Sequence, residues 1–179
     1  MSPEPRQGRR VWLALGGNLG DRTANQRTAL DALEAGGVAI DAVSALYDTP
    51  PWGIEDQPTF ANSAASGVTT LGPHALLALC KRIEADAGRD FGAIRNSARP
   101  IDIDVLLIEG EQVSAPDLEV PHAAMHERAF VLMPLADIAA DVEHPRLEQT
   151  IEALLAALPE EDRAGVTQLE PRGWWRPGV

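Results

Sequence analysis

A single cysteine, a single lysine, few aromatic rings and no long apolar run mark this 179-residue chain. Each shortage excludes something. With Cys80 alone, no disulfide can close within the chain, which fits a reducing compartment, and a cytoplasmic location is expected. With Lys81 alone, inside "LCKRIE", there is no Gly-Lys-Ser/Thr, so a P-loop is excluded. The glycines of "LALGGNLGD" follow a strand and precede a helix, yet Leu15 stands where a dinucleotide fingerprint needs its first glycine. A tight strand-to-helix turn is the better reading of that stretch. No run of about 18 apolar residues exists and no apolar core follows Met1, so neither a membrane span nor a secretion leader is expected. Positive charge is scarce too. The 15 Lys and Arg against 27 Asp and Glu leave a net charge of -12, which argues against a nucleic-acid partner held by phosphate neutralisation. An anionic ligand can still bind where the few cations gather, and all of them but Lys81 are arginines, suited to forked recognition of phosphate and carboxylate.

What is present is a series of patterned segments. "VWLAL" (11–15) reads as a buried strand, and "DRTANQRTALDALEAGG" as an amphipathic helix capped by Asp21 and stopped by Gly36 and Gly37. Residues 38–49 read as one strand, "PPWGIEDQP" as a rigid loop and 59–71 as a third strand. "GPHALLALCKRIEADAGR" is a second helix ended by Gly88, and 101–108 a fourth strand. "PHAAMHERAFVLMPLADI" starts as a turn and continues as a helix, and "RLEQTIEALLAAL" reads as a last helix. The order β-α-β-β-α-β predicts an α+β fold: a ferredoxin-like antiparallel sheet with two helices on one face and extra C-terminal helices. The length suits one domain over 11–165, with a flexible arm at 1–10 and a tail at 166–179 whose Trp174 and Trp175 are expected to dock on the body. A monomer is expected, with a dimer as the alternative.

The chemistry concentrates in "NSARPIDIDVLLIEG". Alternation on a strand puts Asp102 and Asp104 on one face and Ile101, Ile103 and Val105 on the other. Two like charges along a half-buried strand repel unless something positive lies between them. Mg²⁺ takes hard oxygen ligands, commonly one or two carboxylates plus phosphate oxygens, so metal binding is favoured over a solvated face or a glycosidase-like acid/base pair. Arg89, Arg95 and Arg99 precede the pair, placed to clamp phosphoryl oxygens or to neutralise the aspartates. His122 and His126 are four residues apart, a spacing that suits zinc on a helix, though no third ligand follows in pattern. His122 with Arg128 reads better as added donors to a phosphate. Trp52, Phe60 and Asn62 offer rings and an amide of the kind a flat heteroaromatic ligand needs.

Five ordered blocks resemble the 6-hydroxymethyl-7,8-dihydropterin pyrophosphokinase family of folate biosynthesis: "ALGGNLGD", "YDTPPWGIEDQPTFANSA", "RIEADAGR", "ARPIDIDVLLIEG" and "VPHAAMHERAFVLMPL". The resemblance implies transfer of the β,γ-diphosphate of ATP to the pterin hydroxymethyl group, releasing AMP. It implies two Mg²⁺ ions on Asp102 and Asp104, with Arg89 and Arg99 beside them in the catalytic set. Thr49, Pro51, Trp52, Gly53, Phe60, Asn62 and Phe130 are implied on the pterin side, and Lys81, Glu84, Arg89, Arg99, Ile103, His122 and Arg128 on the ATP side. The chain departs from the family pattern at Asn96, where a tryptophan commonly stands, and at Gly92, Ala123 and Lys81. Looser closure of that loop over the nucleotide is the expected consequence. Another Mg²⁺-dependent phosphoryl or nucleotidyl transferase, or a non-catalytic small-molecule-binding domain, are the alternatives.

Overall fold

Apolar alternation along the strands leaves two sheet faces to cover, and helices cover both. The computed structural model describes residues 8–176; residues 1–7 of the expected arm and 177–179 of the expected tail lie outside them. The elements run β1 (Arg9–Gly17), α1 (Arg22–Ala35), β2 (Val38–Val43), β3 (Leu46–Thr49), β4 (Phe60–Thr69), α2 (Pro73–Asp86) and β5 (Asp102–Ile108). Then follow the hairpin β6 (Val113–Ala115) and β7 (Leu118–Val120), α3 (Ala129–Ala139), the small pair β8 (Glu143–His144) and β9 (Gln149–Thr150), α4 (Ile151–Ala157), α5 (Glu160–Ala164) and β10 (Thr167–Glu170).

The main sheet is antiparallel, in the order β10-β3-β4-β1-β5, with β2 beside the far end of β4. One face packs Leu13, Leu15, Ile103 and Val105 against Leu30 and Leu33 of α1 and Leu76 and Ile83 of α2. The other packs Trp12, Ala64 and Leu106 against Leu132 and Leu135 of α3 and Ile151 of α4. Local signals set the helix ends. The Asp21 carboxylate accepts from the Ala24 N–H at 2.9 Å, and Pro73 opens α2, where its missing N–H costs nothing.

Several boundaries differ from the sequence reading, each for a local reason. β1 takes in Arg9 and Arg10, whose side chains pair with Glu111 and Asp41, so the strand begins inside the stretch expected to be an arm. The strand expected over 38–49 is two strands. Val43 faces Ala65 and Tyr47 faces Asn62, so β2–β3 carries one extra residue, a bulge. Ser44 causes it: its hydroxyl accepts from the Ala64 N–H at 2.9 Å and donates to the Ala45 carbonyl at 2.6 Å, while the Ala45 N–H turns to Asp137 at 3.0 Å. The last predicted helix is shorter, because Gln149 and Thr150 pair with His144 and Glu143, and Thr150 caps α4 from Ile151 onward. In the expected tail, residues 167–170 add a strand to the sheet edge and Trp174 is buried.

Candidate active site

β5 begins with Asp102 and Asp104 on the face away from α1 and α2, while Ile103 and Val105 enter the core. Opposite them on β1, in register, lie Gly16 and Ala14. Those residues are nearly bare, so space remains above the two carboxylates instead of packed side chains. A Cβ on Gly16 would run into the Asn62 amide, and one on Gly17 into the Pro100 carbonyl. The glycines therefore serve close approach of neighbouring segments. The space is a cavity of about 500 Å³, bounded by the start of β5, the N-terminus of α3, the Pro-rich loop after β3 and the Arg-rich loop before β5.

One wall is cationic. Arg89 bridges Glu84, at 2.8 Å, and Asp102, and Arg99 reaches Asp102 at 3.0 Å. Burial opposes ionisation of Asp102, but Arg99 and Arg89 outweigh it and hold its carboxyl below the usual carboxylate range. Asp104 has a weaker escort, His122 at 3.9 Å. Burial and the charge of Asp102 push its carboxyl up, against His122, Lys81 and Arg128. Lys81, Arg95 and Arg128 line the same cavity, and among the described residues neither Arg95 nor Arg128 has an ion-pair partner. Positive charge gathered around two crowded carboxylates is an arrangement able to accept a polyanion together with a cation.

Rings and an amide adjoin these cations: Thr49, Trp52, Phe60, Asn62 and Phe130 line the same cavity, with the Arg99 guanidinium 5.0 Å over the Phe60 ring and that of Arg128 5.8 Å over the Phe130 ring. The Asn62 amide donates to the Thr49 hydroxyl at 2.6 Å, and the Trp52 and Phe130 rings stand 6.2 Å apart, tilted by 52°. Four expected ligand contacts, Pro51, Gly53, Glu84 and Ile103, lie back from this cavity. Pro51 lines an adjoining groove of about 150 Å³. The Glu84 and Ile103 side chains are fully buried. Glu84 accepts the Ile103 N–H at 2.7 Å and holds Lys81 at 3.2 Å beside Arg89, so it positions cations. Burial raises its pKa, the Ile103 bond lowers it, and the Asp102 charge raises it further, for a net rise. Gly53, with φ at +87°, packs against Asn96. The histidines part company: 122–126 is not an α-helix but a turn leading into a 3-10 helix at Met125–Glu127, His122 faces the cavity, and His126 packs 6.2 Å from the His144 ring.

Sequence reasoning passed over the residues that tie these walls together. Asn18 is buried in the turn read only as "GGNLGD". Its amide donates to Gln57 at 3.0 Å and to the Pro58 carbonyl at 2.9 Å, and its oxygen accepts the Arg99 N–H at 2.9 Å. Gln57 in turn donates to the Asn96 carbonyl at 2.8 Å. Asn96 has φ at +65°, a left-handed conformation that asparagine tolerates and tryptophan resists. An asparagine in an irregular loop was the available signal.

For a metal, the donor set fits a hard divalent cation: two oxygen ligands, one of them short of positive partners. Among the described residues no cluster of three His, Cys, Asp or Glu side chains could hold an ion unaided. The remaining ligands must therefore come from a bound anion or water, as Mg²⁺ prefers.

Residues 12–140 match the family model described as 7,8-dihydro-6-hydroxymethylpterin-pyrophosphokinase (HPPK). A 2-amino-4-hydroxy-6-hydroxymethyldihydropteridine pyrophosphokinase of Methylorubrum extorquens is 45% identical over 162 residues, covering 90% of this chain and 99% of that one. A mitochondrial folate synthesis bifunctional protein of Arabidopsis thaliana is 46% identical over 128 residues, 72% of this chain, which spans only 23% of that longer protein. A solved Plasmodium falciparum HPPK-DHPS chain, with pterin and p-hydrobenzoate, superposes with a TM-score of 0.68 at 15% identity, over 92% of this chain and 48% of its own. At that identity the likeness is one of fold.

Proposed function

The chain belongs to the 7,8-dihydro-6-hydroxymethylpterin-pyrophosphokinase family, and on that premise we propose that it transfers the β,γ-diphosphate of ATP to the hydroxymethyl group of 6-hydroxymethyl-7,8-dihydropterin, releasing AMP in folate biosynthesis. The observation that carries the reading is a single cavity with two wall chemistries. Asp102 and Asp104 line it together with Lys81, Arg89, Arg99, His122 and Arg128 and with Trp52, Asn62 and Phe130, and Arg128 stands over the Phe130 ring.

The pterin lies against Phe130, with Trp52 and the Pro51–Gly53 loop over its second face and Phe60 beside it, and Asn62 and Thr49 take its hydrogen-bonding edge. The triphosphate lies along the cations. Arg89 and Arg99 turn from Asp102 toward phosphoryl oxygens, and Arg128, His122 and Lys81 add donors. Asp102 and Asp104 would hold two Mg²⁺ ions, which supply neutralisation of the triphosphate and acidify the alcohol. The hydroxymethyl oxygen attacks the β-phosphorus in line. The new O–P bond forms as the bond from the β-phosphorus to the α–β bridging oxygen breaks. AMP leaves with that electron pair, and the alcohol proton passes to solvent. The protein's share is alignment of the two substrates and charge placed in advance, the terms that dominate phosphoryl transfer. Glu84 keeps Arg89 and Lys81 aimed, and the buried Ile103 anchors the strand between the aspartates.

The strand order, with β2 and β3 counted as one, supports the ferredoxin-like arrangement. The enzyme is proposed as a cytoplasmic monomer, with a dimer as the alternative. Among the described residues no helix is long and apolar enough to cross a membrane. Asp102→Ala separates this function from a non-catalytic binder. Here it lowers turnover by roughly 10³-fold or more while pterin binding persists. A variant that turns over normally would remove Asp102 from the mechanism.

A further inference from the structure

The bulge between β2 and β3 is gripped from both faces of the sheet. From the α3 side, Asp137 accepts from the Ala45 N–H at 3.0 Å and from the Tyr47 hydroxyl at 2.9 Å. From the α1 side, Trp174 fills the core, 4% exposed, and its indole N–H donates to the Ser44 carbonyl at 2.9 Å. Trp174 is itself held. Arg27 of α1 donates twice to its carbonyl, at 3.0 and 2.7 Å, and the next residue's indole N–H reaches Asp31 at 3.2 Å. Just upstream, β10 pairs with β3, with Thr167 facing Asp48 and Gln168 facing Tyr47.

β3 has only four residues and carries Thr49, whose hydroxyl orients the Asn62 amide. Without β10 it would be a four-residue edge strand leaving a bulge, the kind of element that opens locally. We propose that residues 166–176 are a brace: they close the edge beside β3, pin the bulge through Trp174, and so set the position of the Thr49–Asn62 wall of the cavity. The inference rests on the proposed function only for the identity of the ligand at that wall. Bulges beside active sites re-aim side chains, and here the re-aiming is fixed by a segment outside the cavity. Trp174 is a positioning residue: it lines neither the cavity nor the adjoining groove and acts through Ser44 and β3.

The test uses the full chain with two variants, Trp174→Ala and the milder Arg27→Ala, which loosens the grip on Trp174 without emptying the core. Amide hydrogen exchange is followed by mass spectrometry in peptides over 44–49 and 60–63, against peptides over 102–108. Dissociation constants are measured for 6-hydroxymethylpterin and for a non-hydrolysable ATP analogue with Mg²⁺. The brace predicts exchange at least about tenfold faster at 44–49 in both variants, with 102–108 unchanged. It also predicts at least about fivefold weaker pterin binding with nucleotide binding within about twofold, since displacement of a positioned wall is costly. Exchange rising equally in both regions, or staying unchanged at 44–49, overturns it. A wild-type chain that binds nucleotide but no pterin would instead remove the substrate assignment, and the exchange contrast alone would then decide the brace.

Discussion

Asn18 holds three segments at once: its own turn, the Pro-rich loop through Gln57 and Pro58, and the Arg-rich loop through Arg99. Removing its side chain leaves the Arg99 N–H and the Gln57 amide without their partner in a partly buried place. Asn18→Ala should therefore cost about 2–3 kcal/mol in urea unfolding and lower turnover by roughly tenfold or more, because both cavity walls lose their common anchor. Normal turnover in the variant would show that the loops are set elsewhere. This residue also shows what was legible. Asp102 and Asp104 could be read from alternation alone, since the period of a strand puts them on one face whatever the fold. Asn18 could not, because its three partners are 39, 40 and 81 residues away in sequence and only the folded chain brings them together. Asn96 is a similar case. As a departure from a family pattern it suggests a missing ring, whereas its backbone at φ +65° gives it a local reason to be asparagine.

At the scale of elements, patterned segments came through and their interruptions did not. α1, α2, β4 and β5 follow from periodicity, caps and glycine stops. The division of 38–49 depends on Ser44 satisfying Ala64 with its side chain, and the short α4 depends on a two-residue pairing that no propensity describes. That pairing contains a titratable group. His144 is buried, and burial first, then the nearby His126 and Arg146, lowers its pKa below 6.5, against a bond that raises it. The unfolded chain therefore takes the proton more readily than the folded one. The stability His144 contributes is present above about pH 6.5 and is lost as pH falls through its folded value. His144→Asn keeps an acceptor for the Arg146 and Leu147 N–H groups, which now meet the ring nitrogen at 3.3 Å. Thermal melts of both proteins from pH 7.5 to 5 should show the wild type losing more stability than the variant. Parallel curves would mean that His144 does not titrate as described.

Over the whole molecule, charge is divided by place. The chain carries -12 overall, yet its cavity collects arginines, a lysine and a histidine around two aspartates. Long-range repulsion and short-range attraction thus act on the same polyanion, and salt screens charge interactions through a Debye length of about 10 Å at 0.1 M. Attraction at the wall dominates at contact, so the KM for ATP should rise about three- to tenfold between 0.05 and 0.5 M salt, while the KM for the uncharged pterin moves less than about twofold. Equal shifts for both substrates would point to a conformational effect of salt. Composition signalled this division only in part: the scarcity of lysine and the arginines before β5 were visible, but Arg128 and Lys81 join them through tertiary structure. The proposed transfer of a diphosphate within one cavity is open to a direct test. Its most direct measurement is product analysis after incubating the protein with ATP, Mg²⁺ and 6-hydroxymethyl-7,8-dihydropterin. Diphosphate transfer gives AMP and the pterin diphosphate in equal amounts, and ADP with a pterin monophosphate, or no nucleotide product from well-folded protein, would contradict it.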